Sequence, residues 1–443
     1  MSEETIFALA SAAGRAGIAV VRLSGPAVKD ALVSLGCAVS SPRKAARARF
    51  VSPSSGDLLD DGLLLWFPAP ASFTGEDVAE LHVHGGRAVV DSVLAALAEL
   101  DGLRPAEPGE FTRRAFEHDK MDLTQAEALA DLIDADTRAQ QKQALRQMGG
   151  ALKDLYDDWR LRLIQALAHL EAVIDFPDED LPPEITDKVW GKVQDLKQAV
   201  VQHLDDGGRG ERVRDGISIA IIGPPNAGKS SLLNFLARRD AAIVSNIPGT
   251  TRDVIEVHMD LGGYAVTLAD TAGLRAAGDA IEDEGIRRAH RRAETADLKV
   301  AVFDGAVYPE QDEVTSALID SNTVCVINKA DLVENDRQKG VSAHPVLFMS
   351  VKTGAGVDAF LSRLQELVRM KTDSGSAAPL TRARHRHALN ECVEAMTRAG
   401  NALLPELAAE DLRLAARALG RITGRVDVEE ILDVVFRDFC IGK

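Results

Sequence analysis

The sequence predicts a multidomain α/β chain in which an α/β unit is inserted into a helical domain. Three observations predict it. Strand-like and helix-like segments alternate from residue 217 to about 370, the pattern of a parallel α/β unit. A Gly-rich loop stands directly after the first of those strands. Apolar residues recur at helical steps both before and after that stretch.

The 443 residues are enough for about three domains with separate cores. A formal net charge of −17 excludes unselective coating of nucleic acid, which needs a basic protein. Any nucleic-acid contact must therefore use a local basic patch or a partner. The start, MSEETIFALASAAGR, has no basic segment leading into an apolar core, so no signal peptide is expected. The most apolar short run, Gly62 to Phe67, is far too short to span a bilayer. Cys37, Cys325, Cys392 and Cys440 are scattered without CxxC spacing, against a disulfide framework or a zinc site. A reducing cytoplasm is the expected setting.

Residues 1–118 read as an α+β domain. Ile18 to Leu23 is a β-rich run followed by the turn and helix-start signal Ser24-Gly25-Pro26. Leu63 to Phe67 and Val78 to Val83 read as further strands, and Ala88 to Leu100 as a helix. Residues 119–213 form the first segment of a helical domain. Thr124 and Glu127 have capping-box spacing at its start. Leu145, Met148, Leu152, Leu155, Trp159, Leu163, Leu167, Leu170 and Ile174 then mark one helical face. The stretches 205–216 (DDGGRGERVRDG) and 371–380 (KTDSGSAAPL) read as linkers around the inserted unit, residues 214–373. Helical periodicity returns in residues 374–443, at Leu389, Cys392, Met396, Leu403, Leu407, Leu419, Ile431 and Val435.

In the inserted unit, the buried-strand pattern ISIAII runs into GPPNAGKS, Gly223 to Ser230, and then into a helical run. This is the order a phosphate-binding loop requires. Glycine lets the backbone turn its N–H groups toward phosphate, and the helix N-terminus adds favourable partial charge. The loop contacts are expected from Asn226, Ala227, Gly228, Lys229, Ser230 and Ser231. Lys229 would reach the β and γ phosphates, and Ser230 would place its hydroxyl on Mg²⁺.

Asp270, Thr271, Ala272 and Gly273 follow the strand YAVTLA. Asp270 suits a Mg²⁺-linked acid, and Gly273 can offer its N–H to the γ phosphate. NKAD, Asn328 to Asp331, follows the strand TVCVI. A carboxylate there accepts from guanine N1–H and the 2-amino group, and adenine would leave it unpaired. The nucleotide is therefore GTP rather than ATP. Lys329 can lie against the base plane, and Ser350, Val351 and Lys352 would supply the loop at the guanine oxygen.

After DTAG stands Leu274, not a Gln that could orient the attacking water. Glu282 is the candidate for that work, against its alternative as one solvated acid among several. Asn226 could hold a monovalent cation beside the phosphates, where transition-state charge builds up. It could equally serve the turn alone.

These strings together resemble the MnmE (TrmE) family, GTPases that modify bacterial tRNA. The resemblance covers essentially the whole chain. It rests on GIAVVRLSG, SFTGEDVAELHVHGG, PGEFTRRAF, DKMDLTQAEALADLI, GPPNAGKSSLLN, SNIPGTTRD, DTAGLR, NKADL and the terminal FCIGK. It implies a Ras-like P-loop GTPase domain inserted in a discontinuous helical domain. It also implies an N-terminal domain that binds a tetrahydrofolate derivative and forms a homodimer. Arg22, Glu80, Lys120 and Lys443 match the family's folate contacts. Asn226, Ser245, Ile247 and Thr250 match its potassium site, while Ser230 and Thr251 match its magnesium site. Glu282 falls where the family's hydrolytic Glu falls. Pro248, following Ile247, departs from the pattern and bears on potassium dependence. The family works with the flavoprotein MnmG (GidA). Together they add an aminomethyl or carboxymethylaminomethyl group to carbon five of the wobble uridine of tRNA.

Other residues carry alternatives. Cys440 is either a nucleophile or a small packed residue. His82 and His84 share one side of a strand, as packing residues sooner than as a metal pair. The runs Arg382 to His387 and Arg287 to Arg292 are the densest basic patches; such a run is more often a solvated helix face, and the first is the candidate for tRNA phosphate contact. Two rival functions are a ribosome-assembly GTPase switch without covalent RNA chemistry and a folate-dependent methyltransferase that GTP only regulates. The PGEFT block and the FCIGK end count against the switch.

Overall fold

The computed structural model describes residues 4–39, 41–175, 183–239, 256–270, 291–310, 312–333, 345–373, 378–426, 429–437 and 439–442. The chain divides into two compact units. The first comprises Met1–Ala130, Lys153–Ile164 and Ala416–Lys443, and the second Asp131–Leu152 and Gln165–Ala415.

The first unit holds strands β1 (Thr5–Leu9), β2 (Ala16–Ser24), β3 (Ala46–Val51), β4 (Leu58–Phe67), β5 (Val78–Gly85) and β6 (Leu103–Pro105). They form one sheet in the order β3-β4-β5-β2-β1-β6, antiparallel except for the β1–β6 pair. Strand alternation gives the sheet two distinct faces. Ala19, Val21 and Leu23 of β2 join Leu64, Trp66, Leu81 and Val83 in a buried core with the helices Val28–Ser34 and Arg87–Ala98. The residues between them include Arg22 and Glu80, which stand opposite each other across β2 and β5.

The PGEFT block and the FCIGK end meet. Gly109 opens the helix Glu110–Glu117 at φ +68°, and a Cβ there would lie 2.7 Å from the Phe436 carbonyl oxygen. Pro108 bridges Ile441, and the Gly109 amide donates to the Cys440 carbonyl at 3.4 Å. Glu110 then accepts from Arg104 (2.6 Å) and Arg114 (3.0 Å), and Arg114 also donates to Glu76 (3.0 Å). Burial opposes charge on Glu110, but the two guanidiniums and the Glu107 amide hold its carboxyl below the usual range.

The predicted cap at Thr124 moves two residues. Asp122 accepts from the Gln125 amide (2.8 Å), and Gln125 reciprocates on the Asp122 amide (3.1 Å), at the start of the helix Leu123–Ile133. Glu127 is buried instead. The expected stripe is also adjusted. Within the helix Ala151–Asp175, Leu152, Tyr156, Trp159, Leu163, Ala166 and Leu170 are buried, so the seam runs through Tyr156 and not Leu155. Leu145 and Met148 are exposed, since their helix, Arg138–Met148, buries Ala144 and Gln147.

The second unit holds β7 (Ile217–Ile222), β8 (Glu256–Leu261), β9 (Tyr264–Asp270), β10 (Leu298–Asp304), β11 (Thr323–Asn328) and β12 (Val346–Phe348). Their order is β12-β11-β10-β7-β9-β8, all parallel except the β8–β9 pair. The inner strands β7, β10 and β11 are mostly apolar and buried because helices cover such sheets, while the edge strand β8 alternates. The helices Lys229–Ala237 and Val357–Thr372 supply Leu232, Leu233, Phe360 and Leu364 to the core.

Residues 205–216, expected as a linker, carry the helix Arg209–Asp215. Gly210 lies against the Leu380 carbonyl, where a Cβ would come within 2.0 Å, and Arg212 pairs with Asp297 at 2.6 Å. The Gly and charge content that reads as flexible is here close packing and ion pairing. Of the second expected linker, Lys371 and Thr372 end a helix and Ala378 to Leu380 are buried, while 374–377 lie outside the described residues. No helix among the described residues is long and apolar enough to cross a membrane.

Candidate functional site

The phosphate loop leaves β7 at the point where strand order reverses, with β10 on one side and β9 on the other. Open parallel sheets bind ligands at such switch points. Gly223 (φ +150°) passes so close to β10 that a Cβ would lie 2.2 Å from the Val302 carbonyl oxygen. Gly228 (φ +96°) caps the helix Lys229–Ala237, and a Cβ there would lie 2.1 Å from Asn328 Nδ2. Both glycines are required by close approach.

Lys229 is buried, and its ammonium donates to the Gly223 (2.7 Å) and Pro224 (2.8 Å) carbonyls. The lysine is thus held inside the loop it is expected to serve. Asn226 is exposed at φ +63°, a conformation Asn tolerates better than most residues. Turn chemistry accounts for that conformation. Ser230 and Ser231 are exposed in the first turn of the helix, and Ala227 is fully buried.

Asn328 connects this loop to the Ser350–Val351 segment. It is buried at the end of β11, its Nδ2 donates to the Ala227 carbonyl (2.9 Å), and its Oδ1 accepts from the Val351 amide (3.2 Å). Lys329 adopts φ +60°, and its ammonium pairs with Asp304 at 2.6 Å. Asp304 was not singled out from sequence. It ends β10 in register with Asn328 on β11, and its carboxylate also accepts from the Ala306 amide at 2.9 Å. Burial opposes its charge, but Lys329 and the Ala306 amide hold its carboxyl below the usual range.

Asp331 lies exposed within the 3-10 turn Ala330–Leu332. A hydrogen bond from Ser350, with a contribution from Lys352, keeps its carboxyl below the ordinary value. Ser350 is buried, with Val351 half-buried and Lys352 exposed beside it. The structure therefore gathers Ala227, Lys229, Asn328, Lys329, Asp331, Ser350 and Val351 into one site. Asp270 closes β9 in register with Ile221. Ser245, Ile247, Thr250, Thr251, Thr271, Ala272, Gly273 and Glu282 lie outside the described residues.

A second cluster lies in the first unit. Arg22 Nε and Nη2 donate to Glu80 Oε1 at 3.1 and 2.9 Å, half-buried. The guanidinium sits over the rings of Phe73 (5.5 Å) and Phe111 (5.8 Å). Lys120 donates to the Pro70 carbonyl, and Lys443 lies outside the described residues. His82 contacts Glu80 at 3.4 Å and His84 pairs with Asp60 at 2.8 Å, so each histidine has its own acidic neighbour. Burial pushes the Cys37 thiol up to about 11 and Cys392 to about 12, whereas Cys440 is exposed and not packed.

The basic run Arg382 to His387 is not a free cationic face. Arg382 pairs with Asp131 (2.6 Å), Arg386 with Asp206 (2.9 Å) and Glu211 (3.1 Å), and His385 is buried. In the other run, Arg292 faces Glu256 at 3.5 Å, and residues 287–290 lie outside the described residues.

Two family patterns match the chain. That of the GTP-binding protein TrmE N-terminus matches residues 5–120, and that of the MnmE helical domain matches residues 123–440. The tRNA modification GTPase MnmE of Paramagnetospirillum magneticum is 59% identical over 441 residues, covering 99% of this chain and 100% of that protein. The protein of the same name from Rhodospirillum rubrum is 55% identical, covering 100% of both. That of Parvibaculum lavamentivorans is 56% identical, covering 99% of this chain and 100% of its own length. With the phosphate loop, the base loops and the docked terminal segment in place, the chain belongs to the MnmE family of tRNA modification GTPases.

Proposed function

We propose that this chain binds and hydrolyses GTP while modifying carbon five of the wobble uridine of tRNA. It would add an aminomethyl or carboxymethylaminomethyl group, as a homodimer in the cytoplasm with the flavoprotein MnmG (GidA). The observation that carries the nucleotide reading is Asn328, whose one amide group holds both the phosphate loop and the base loop.

The residues fit the nucleotide. Two glycines whose Cβ would collide with neighbouring groups shape the loop, and a buried lysine lies within it. Lys229 and the loop amides would hold the phosphates. Asp331 would read the guanine edge, Lys329 would cover the base, and Val351 and Lys352 would face its oxygen. Ser230 and Thr251 would hold Mg²⁺, with Asp270 at the end of β9 as the linked acid. Asn226, Ser245, Ile247 and Thr250 would hold K⁺. When bound, these cations supply positive charge where negative charge gathers on the phosphates. Glu282 would orient the attacking water.

The Arg22–Glu80 pair between Phe73 and Phe111 supports folate binding in the first unit. A guanidinium and a carboxylate beside apolar rings suit a flat, polar-edged heterocycle. Lys120 and Lys443 would complete that site. Cys440, an exposed thiol, is the candidate nucleophile of the C-terminal segment.

Nucleoside analysis of tRNA from cells lacking the chain tests the whole reading. Loss of the wobble modification is expected, and unchanged uridines would favour a ribosome-assembly switch. GTP turnover in potassium against sodium tests the ion site, with faster turnover expected in potassium and equal rates removing it.

A further inference from the structure

The second unit contains a cavity of about 600 Å³ that the nucleotide site does not use. Arg138, Lys142 and Arg146 line one wall, and the β8–β9 turn through Gly263 and Tyr264 lines another. The three cations recur every four residues along the helix Arg138–Met148. That spacing sets them about 6 Å apart along the axis and about 40° apart around it, on one face.

The adjoining face is fixed by three glutamines. Gln140 donates to the Arg214 carbonyl (2.9 Å), Gln143 to Gly210 (2.9 Å) and Gln147 to Pro379 (3.3 Å). The Ala139 amide is held by the Gly263 carbonyl at 3.0 Å, which ties the helix to the hairpin. The cationic row is therefore presented by a backbone anchored along its length. One carboxylate, Asp373, shares the lining, so the wall is positive in a chain whose net charge is −17. Tyr264 is half-buried, with its side chain against both the core and the cavity.

A positive groove beside an aromatic ring is the combination that binds unpaired nucleotides. We propose that this cavity takes an unpaired segment of RNA. Its phosphates lie along Arg138, Lys142 and Arg146, and a base stacks on Tyr264. The inference rests on the tRNA-modification reading and gives that substrate a docking surface separate from the Arg382 to His387 run.

The test measures tRNA binding to the full chain across a potassium chloride series. It compares the parent with Arg138→Gln/Lys142→Gln and with Tyr264→Leu, which keeps an apolar side chain against the core. The double variant is expected to bind about tenfold more weakly and to lower the salt slope by about 1.4, or about 0.7 for each lost phosphate contact. Tyr264→Leu is expected to weaken binding about tenfold while leaving that slope unchanged. GTP turnover should match the parent in both, which also confirms that they fold. Affinity and slope equal to the parent's in the double variant would overturn the site. So would a parent chain that binds no tRNA. The nucleoside analysis of deletion-strain tRNA is independent of either result and decides the modification reading separately.

Discussion

Asn328 Nδ2 donates a hydrogen bond to the Ala227 carbonyl at 2.9 Å, joining the end of β11 to the phosphate loop. Its Oδ1 accepts from the Val351 amide, so one side chain ties the phosphate loop to the Ser350–Lys352 loop. Asn328→Ala removes both bonds and leaves a buried carbonyl without this donor, at a cost of about 3 kcal/mol. GDP and GTP binding, measured by calorimetry, should each weaken by about 100-fold. Parent-like affinities would show that the two loops hold their places without the asparagine.

Asp304 positions Lys329 through the 2.6 Å ion pair. Asp304→Asn keeps the shape and removes the charge. Guanine nucleotide affinity should fall about tenfold, with kcat close to the parent's, because the lysine stem would lie against the base in ground and transition states alike. A fall in kcat at unchanged KM would contradict this role.

Much of this site was legible in the sequence, because its motifs are short and each follows a strand. Strand, glycine loop and helix N-terminus are contiguous from Ile217 to Ala237. Asp304 was hidden because only the parallel register of β10 on β11 brings it beside Lys329. The cap was misplaced because Asp122 and Thr124 both offer side-chain oxygens, and spacing does not choose between them. Arg209–Asp215 was hidden because the glycine that suggests a flexible linker, Gly210, is there to admit the Leu380 carbonyl. The ion pairs of Arg382 and Arg386 were hidden because their acidic partners are distant in sequence.

Glu110 makes stability depend on pH with a definite sign. Its carboxyl is held below the ordinary value, so the stabilisation is complete above about 4.3, the unfolded value. It is lost as pH falls through the folded value. Glu110→Gln should lower stability by about 3 kcal/mol at pH 7, as expected for breaking a buried pair. In urea unfolding, that difference should shrink as the pH is lowered below about 4.3. A difference that stays constant from pH 7 to pH 3 would count against an ionic origin.

Gly109→Ala should loosen the docked C-terminal segment. A Cβ at φ +68° is strained by about 1–2 kcal/mol and would also press on the Phe436 carbonyl. Hydrogen exchange at the amides of Cys440, Ile441 and Gly442 should quicken by about tenfold. Unchanged exchange would mean that Pro108 and Ile441 hold without the glycine.

Base selectivity tests the central claim most directly. Kd values for GDP, ADP and XDP should be measured on the parent and on Asp331→Asn. The parent should prefer GDP over ADP by about 10⁴-fold, as for a site built around hydrogen bonds that the wrong ligand lacks. The variant should turn toward XDP, since an amide offers the donor that the xanthine oxygen needs. A parent chain that binds ADP as tightly as GDP would contradict the account.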